Sequence, residues 1–338
     1  MSFTVTVKPS NHQFTIEENE TILDAALNNG LSFPYGCRSG VCGACMNKVL
    51  EGELHYGDDL PPALSADDVA AGMGLFCHAY AKSDVVVEVK EVVTSNEIPL
   101  KNLPVRVASV EKLSHDVMKV MLRLPETERM QFLAGQYIDI LMPDNKHRSF
   151  SLANAPHEDE LLELHIRHID GGRFTDKLFN GEVGEKSILR IEGPHGGFYL
   201  REDSARPMIF IAGGTGFAPV KGIIEHAFAE GVTRPIYLYW GVRTRADLYM
   251  VELAEKWAAE HTDFQFVPVL SEPTAACIWD GRLGYVTDAI MQDFDDLSAY
   301  DLYASGAPAM VYAGRDAFVT KGMDRERYYS DAFEIAGD

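Results

Sequence analysis

The chain has 338 residues, 46% hydrophobic and 24% charged, which suits a soluble globular protein with two or three separately cored domains. Its 51 acidic and 30 basic residues leave a net charge of −21, which argues against binding nucleic acid or an anionic membrane through a basic face. No apolar run is long enough to span a bilayer. The N-terminus goes straight into an alternating Phe3, Val5, Val7 pattern with no signal-peptide character, so a cytoplasmic protein is expected.

Residues 1–93 read as one small β-rich domain. A first strand through Phe3–Val7 is followed by a second at Phe14 and Ile16. Thr21-Ile-Leu-Asp24 has the form of a capping box before a short helix to Asn29, stopped by Gly30. Next come a cysteine-rich loop, a strand through Lys48-Val-Leu, an acidic proline-containing loop, and a closing strand at Val85-Val-Val-Glu-Val. Four of the five cysteines belong to this segment: Cys37, Cys42 and Cys45 in Pro34-Tyr-Gly-Cys-Arg-Ser-Gly-Val-Cys-Gly-Ala-Cys, and Cys77 in Gly74-Leu-Phe-Cys-His. A C-x4-C-x2-C run with a distant fourth cysteine is the ligand spacing of a plant-type 2Fe–2S cluster. Two irons bridged by two sulfides need four thiolates around one compact loop, and Gly36, Gly40 and Gly43 let the backbone curl close. Zinc sites more often pair two short Cys/His motifs, and a disulfide framework does not suit so cysteine-poor a chain. The segment resembles plant-type ferredoxin domains, which implies a β-grasp-like α+β fold. It holds 13 acidic and 5 basic residues, a net of −8, which serves either solubility or docking of a basic partner.

Residues 94–103 lose periodicity and read as a linker ahead of Pro104. Short strand-like segments then recur at Val105–Val110, Val117–Leu124, Tyr137–Leu141, Ser149–Leu152, Leu162–Arg167 and Ser187–Ile191, which predicts a small antiparallel β-barrel over 104–203. From Pro207 strands and helices alternate: strands at Met208–Ala212, Ile236–Trp240, Phe264–Leu270 and Asp301–Ala304, and helices reaching Glu230 and over Asp247–Glu260, Tyr285–Phe294 and Ala309–Thr320. That rhythm predicts an α/β doubly wound parallel sheet over 204–338.

Two motifs mark the barrel: Arg148-Ser149-Phe150-Ser151 on a strand, and Gly171-Gly172-Arg173-Phe174-Thr175 opening a short helix. In this order they resemble the flavin-binding barrel of the ferredoxin–NADP reductase family. The resemblance implies that Arg148 holds a flavin phosphate, Phe150 lies against the flavin, and Ser151 sits near its reactive nitrogen. Gly172, Arg173, Phe174 and Thr175 would then present a turn to the pyrophosphate, favouring FAD over FMN. Phe150 stands where tyrosine is commoner in the family. Ser149 and Arg167 join the flavin candidates. His165 stands both as a candidate on that strand and as half of a structural pair with His168; His78 is read as structural.

The first turn of the parallel sheet, Ala212-Gly213-Gly214-Thr215-Gly216-Phe-Ala-Pro219, has the strand–turn–helix setting of a phosphate cradle. Its form matches the nicotinamide-binding lobe of the same family. Trp240-Gly241-Val-Arg243 and Ser305-Gly306-Ala-Pro308-Ala-Met310 follow later strands, where open parallel sheets bind ligands. Ser305 occupies a position that is a cysteine near the nicotinamide in many relatives, and Phe333, in the aromatic tail, is the expected cover over the flavin. Arg243 and Arg245 could read a 2′-phosphate, but with Asp247 beside them NADH is preferred to NADPH. Cys277 is expected to be an idle thiol.

Ferredoxin, flavin barrel and nicotinamide lobe in this order resemble the reductase components of multicomponent oxygenases, and equally the CDP-6-deoxy-glucoseen reductases of deoxysugar synthesis. Hydride transfer from NADH to FAD, single-electron steps to the cluster and delivery to a partner protein follow from the resemblance. The acceptor would be an oxygenase or hydroxylase component or, in the alternative, a dehydrase; a non-catalytic redox sensor has no need of a nicotinamide lobe. A monomer is the expectation.

Overall fold

The computed structural model describes residues 2–31, 33–41, 43–89, 98–143, 146–274 and 278–333, so Cys42 and Cys277 lie outside the described residues. The chain divides into two compact units, Met1–Pro99 and Leu100–Asp338.

In the first unit β1 (Ser2–Lys8) and β2 (Gln13–Glu17) form a hairpin, followed by α1 (Ile22–Asn28), β3 (Met46–Glu51), β4 (Leu54–His55), α2 (Ala66–Ala70), β5 (Met73–Leu75), β6 (Tyr80–Ala81) and β7 (Val85–Glu88). The main sheet runs β2-β1-β7-β3-β5, with β1 and β7 parallel at its centre and the other pairs antiparallel. Alternation does the sorting. Val5 and Val7 of β1, Phe14 and Ile16 of β2, and Val85 and Val87 of β7 point into one core with Ile22 and Leu23 of α1.

Helix α1 ends in a full Schellman motif: Gly30, at φ +74°, donates its N–H to Leu27 O and Leu31 donates to Ala26 O. Its start departs from the expected capping box. Thr21 Oγ1 accepts from Asp24 N at 3.1 Å but donates to Asp24 Oδ2 at 2.8 Å, so the carboxylate faces the hydroxyl; its other oxygen takes Arg38 of the cysteine loop at 2.8 Å. The complete capping box belongs to α2, where Ser65 and Asp68 cap each other, inside the stretch expected to be a loop. Helix α2 has five residues and none buried, so no apolar period announces it.

The second unit begins with β8 (Lys101–Lys112), which starts inside the expected linker, and continues with β9 (Val117–Arg123), β10 (Tyr137–Leu141), β11 (His147–Ser151), β12 (Leu162–Arg167), α3 (Thr175–Phe179) and β13 (Ile188–His195). These strands pair antiparallel in the order β11-β10-β13-β8-β9-β12. The two ends meet through a bridge from Leu152 to Leu164, with Ala153 N donating to Glu163 O at 2.8 Å, which closes the barrel. Its inward residues, among them Val105, Leu122, Ile138, Leu164 and Ile191, pack with Phe174 and Leu178 around α3.

A parallel sheet follows: β14 (Met208–Gly213), α4 (Phe217–Ala229), β15 (Ile236–Val242), α5 (Val251–Glu260), β16 (Phe264–Leu270), β17 (Arg282–Leu283), α6 (Val286–Asp293), β18 (Asp301–Gly306), α7 (Pro308–Val319) and β19 (Tyr328–Ala332). The order is β17-β16-β15-β14-β18-β19, every pair parallel. Successive connections run one way from β14 to β15 and the other way from β14 to β18, so the switch point lies at the carboxyl ends of β14 and β18. Three elements differ from expectation, the first being the two-residue β17, where no strand is expected from the sequence. The helix expected from Asp247 starts only at Val251, because Asp247 caps a separate turn at Thr244. The tail expected to supply only an aromatic cover forms β19 along the sheet edge.

Candidate functional site

The cysteine loop turns through three left-handed residues, Arg38 at φ +55°, Gly40 at +78° and Gly43 at +73°. A Cβ on Gly40 would lie 2.9 Å from the His78 ring and from Pro61, so the loop is pressed against the segments leading to and from α2. Backbone N–H groups are aimed at sulfur: Ser39 N donates to Cys37 Sγ and Cys77 N to Cys45 Sγ, both at 3.4 Å. A separate side-chain hydrogen bond with Cys45 holds the Cys77 thiol below the ordinary thiol range, in spite of burial. Cys45 and Cys77 are buried and Cys37 half-buried. Thiols approached by backbone amide dipoles, two of them buried, are what an iron–sulfur cluster requires, so the donor set fits.

In the barrel, β10 and β11 set Ser149 opposite Asp139 and Ser151 opposite Tyr137. Ser149 Oγ donates to Asp139 at 2.6 Å. Phe150 and Phe174, far apart in sequence, come together with ring centroids 5.6 Å apart. In the glycine turn Thr175 Oγ1 accepts from Ile169 N and donates to Ile169 O, and a Cβ on Gly172 would lie 2.3 Å from that hydroxyl. The turn is therefore braced by Thr175, with Arg173 exposed beside it. His165 is buried with Nε2 2.7 Å from Glu163 and Nδ1 3.1 Å from the Tyr249 hydroxyl. His168 meets Asp176 at 2.8 Å and stacks on Phe179.

At the switch point Gly213–Gly216 and Ser305–Met310 fit together backbone to backbone. A Cβ on Gly216 would stand 2.0 Å from Ser305 O, one on Gly306 2.6 Å from Gly213 O, and one on Gly213 2.7 Å from Met310 Sδ. Gly241 closes in the same way on Val286, at 2.8 Å. The loop Gly214–Thr215–Gly216 makes a single 3₁₀ turn into α4, with Pro219 buried near the start of α4 and Pro308 at the start of α7. Trp240 Nε1 donates to Gly214 O at 3.0 Å and supports the loop from below. Arg167 reaches it from the barrel: its Nε donates to Asp116 at 2.7 Å and its Nη1 lies 3.5 Å from where a Gly214 Cβ would be. Arg243 and Arg245 are exposed beyond β15, and Asp247 accepts from Thr244 N at 2.8 Å.

One residue missed in the sequence joins the two halves. Ser151 Oγ donates to Asp331 Oδ2 at 3.0 Å, both side chains buried. Asp331 pairs in register with Ser305, and Phe333 N donates to Gly306 O at 2.8 Å. Ser151, Ser305, Asp331 and Phe333 thus converge where the barrel meets the sheet. Ser305 Oγ is fully buried and has no hydrogen-bond partner among the described residues. Glycines that admit no Cβ, a helix N-terminus and an unsatisfied hydroxyl fit a phosphate-bearing dinucleotide.

Known proteins agree with this geometry. The 2Fe-2S iron-sulfur cluster binding domain family matches residues 5–82, the oxidoreductase FAD-binding domain family residues 104–199, and the oxidoreductase NAD-binding domain family residues 210–316. The CDP-6-deoxy-L-threo-D-glycero-4-hexulose-3-dehydrase reductase of Yersinia pestis is 38% identical over 98% of this chain and 99% of its own length. The chain belongs to the family of iron–sulfur flavoprotein reductases. Another member, the aromatic O-demethylase reductase subunit of an Amycolatopsis species, is 38% identical over 99% of this chain and 100% of its own. The crystal structure of the Amycolatopsis reductase GcoB superposes with a TM-score of 0.80 at 36% identity, covering 99% of this chain and 100% of that one. The protein is accordingly an NAD(P)H-dependent oxidoreductase with 2Fe–2S, FAD and NAD-binding domains, passing electrons from NADH through FAD and the cluster to a partner. Among the described residues no helix is long and apolar enough to cross a membrane.

Proposed function

We propose that the acceptor is a protein oxygenase or hydroxylase component and that the chain works as its cytoplasmic, NADH-specific reductase, with domains at 1–93, 104–203 and 204–338. The observation that carries the electron route is the meeting of the barrel's Ser151 with Asp331, beside Ser305 and the glycine cradle. Nicotinamide gives up two electrons together as hydride, flavin accepts them and releases them singly, and the cluster takes one at a time. The chain's own residues supply position. Arg148, Ser149, Phe150, Arg173, Phe174 and the Gly172–Thr175 turn hold the flavin. Gly213, Gly214, Thr215, Gly216, Gly241, Gly306, Pro308 and Met310 shape the dinucleotide cleft, with Arg243 at its rim. Ser151 keeps a hydroxyl proton on Asp331 that can be turned toward the flavin nitrogen receiving the hydride. Cys37, Cys42, Cys45 and Cys77 would hold the cluster, and Phe333 would supply an aromatic cover over the flavin.

A second reading is favoured by a specific observation. The Yersinia relative at 38% identity is a dehydrase reductase, as close as the oxygenase-type relatives, which lie between 32% and 38%. In that reading the acceptor is a cofactor-bearing dehydrase. Anaerobic titration with NADH, read by visible absorbance and electron paramagnetic resonance, tests the shared route: the flavin should bleach and a reduced 2Fe–2S signal should appear. Cys42→Ser should keep the bleaching and lose both the signal and electron transfer to cytochrome c. A bleached wild-type flavin with no cluster signal, iron being present, would defeat the route. Turnover with each purified acceptor type then separates the two partners.

A further inference from the structure

A buried polar chain crosses from the barrel to the nucleotide lobe, away from the reacting groups. Lys221 of α4 lies five residues past Gly216 and its side chain is only 6% exposed. Its Nζ donates to Glu225 Oε2 of its own helix at 2.8 Å, to the barrel carbonyl of Ala153 at 3.1 Å, and to Glu163 Oε2 of β12 at 3.4 Å. The other oxygen of Glu163 takes His165 Nε2 at 2.7 Å, and His165 Nδ1 meets the Tyr249 hydroxyl at 3.1 Å. Because a carboxylate only accepts, His165 must carry its proton on Nε2 and accept at Nδ1, so Tyr249 is the donor. Donors and acceptors therefore run in one sense from Tyr249 through His165 to Glu163, where Lys221 completes the circuit.

The two ends of this circuit lie one contact behind the dinucleotide cradle. Lys221 belongs to the helix that the Gly213–Gly216 cradle opens, and the next residue, Gly222, lies so close to the barrel that a Cβ there would be 3.0 Å from Asn154 O and 3.3 Å from Leu152 O. Tyr249 packs edge-on against Trp240 at 5.2 Å, and Trp240 holds Gly214 O. The barrel end, Leu152–Ala153, directly follows Ser151. Burying an ammonium and a carboxylate costs more than packing apolar side chains of the same volume, so stability alone does not account for them; directional bonds between two packed bodies fix an orientation that apolar contact leaves free to slide.

We propose that Glu163, His165, Lys221 and Tyr249 form a clamp that sets the angle between barrel and nucleotide lobe, and so the distance from nicotinamide to flavin in the hydride step. They act as positioning residues, and His165, a flavin candidate by resemblance, is assigned to this clamp instead. The inference rests on the reductase reading, and its test keeps the two apart.

Tyr249→Phe removes one hydroxyl and keeps the ring against Trp240; Lys221→Met removes the other anchor. In stopped-flow reduction of the FAD-loaded full chain, Tyr249→Phe should slow hydride transfer at saturating NADH about tenfold, since ångström-scale displacement of reacting atoms can cost as much as about a hundredfold. NADH affinity and FAD content should stay near the wild-type values, because the cradle is intact. The long-wavelength charge-transfer absorbance, which reports nicotinamide stacked on flavin, should weaken. Amide hydrogen exchange should accelerate in 162–167 and 248–250 in both variants. A Tyr249→Phe protein with the wild-type rate and charge-transfer band would overturn the clamp. If the wild-type flavin is not reduced by NADH, the reductase reading fails instead, and the clamp is then decided by exchange: unchanged protection of 162–167 in both variants would sink it.

Discussion

Ser151 and Asp331 are 180 positions apart and share a buried hydrogen bond of 3.0 Å, so the hydroxyl expected at the flavin is held by a carboxylate. Asp331→Asn keeps the shape but offers Ser151 a weaker acceptor or an opposing N–H. The expected outcome is hydride transfer slowed by about ten- to a hundredfold with FAD content unchanged, the range of a positioned proton-handling group. Single-turnover flavin reduction measures it, and an unaltered rate removes Asp331 from the site. Arg148 offers a sharper binding test. Arg148→Ala should weaken FAD retention by about ten- to a hundredfold, the loss of one charge-assisted bond worth ~1.5–3 kcal/mol, measured by FAD titration of the apoprotein; an unchanged affinity would take Arg148 out of the flavin site. The cysteines and glycines were legible because their chemistry dictates spacing. Asp331 was not, because an acid two residues before Phe333 has no local signature; only the pairing of β19 with β18 brings it to Ser151.

Elements were legible where apolar periods were long. Tyr137–Leu141, Leu162–Arg167 and Phe264–Leu270 are strands with the expected bounds; the first two bury most of their length, and the third is anchored by buried Phe264, Val269 and Leu270 at its ends. Helix α2 and the two-residue β17 were not, because too few of their side chains enter a core to leave a pattern. Strand β12 also carries polar information that no period shows. Burial pushes the Glu163 carboxyl up, but the His165 hydrogen bond and the Lys221 ammonium outweigh it and hold the group at about 2, below its ordinary 4.5. Because the folded value is the lower one, the stabilisation is complete above about pH 4.5 and is lost as pH falls toward 2; on the order of 3 kcal/mol is its upper bound. Glu163→Gln should therefore lower Tm at pH 7, and the gap from wild type should narrow steadily below pH 4.5. A gap independent of pH across that window would show that the carboxylate is not held by its neighbours in this way.

At the scale of the molecule, the charge of −21 is unevenly placed, and the acidic ferredoxin unit puts part of it beside the cluster loop. Asp58 and Asp59 are exposed on the segment joining β4 to α2, and Asp67 is exposed in the first turn of α2. That same segment packs on the loop through Pro61, against Gly40, and through Ala63 N, which donates to Gly40 O at 3.0 Å. Leu60, 43% exposed, lies among these acids. An exposed apolar side chain next in sequence to two exposed carboxylates, on a segment packed against the cluster loop, suits a basic acceptor that docks, takes one electron and leaves. If so, turnover coupled to the protein acceptor should fall several-fold between low salt and about 0.15 M, where the Debye length shrinks to ~8 Å. NADH-dependent reduction of ferricyanide, a small anion with no use for the acidic face, should not fall in step. Replacing Asp58, Asp59 and Asp67 with Asn together should reduce coupled turnover at low salt and flatten its salt dependence, leaving flavin reduction by NADH untouched. Coupled turnover that ignores both salt and the triple substitution would mean that these charges serve solubility, and that the acceptor reads another surface.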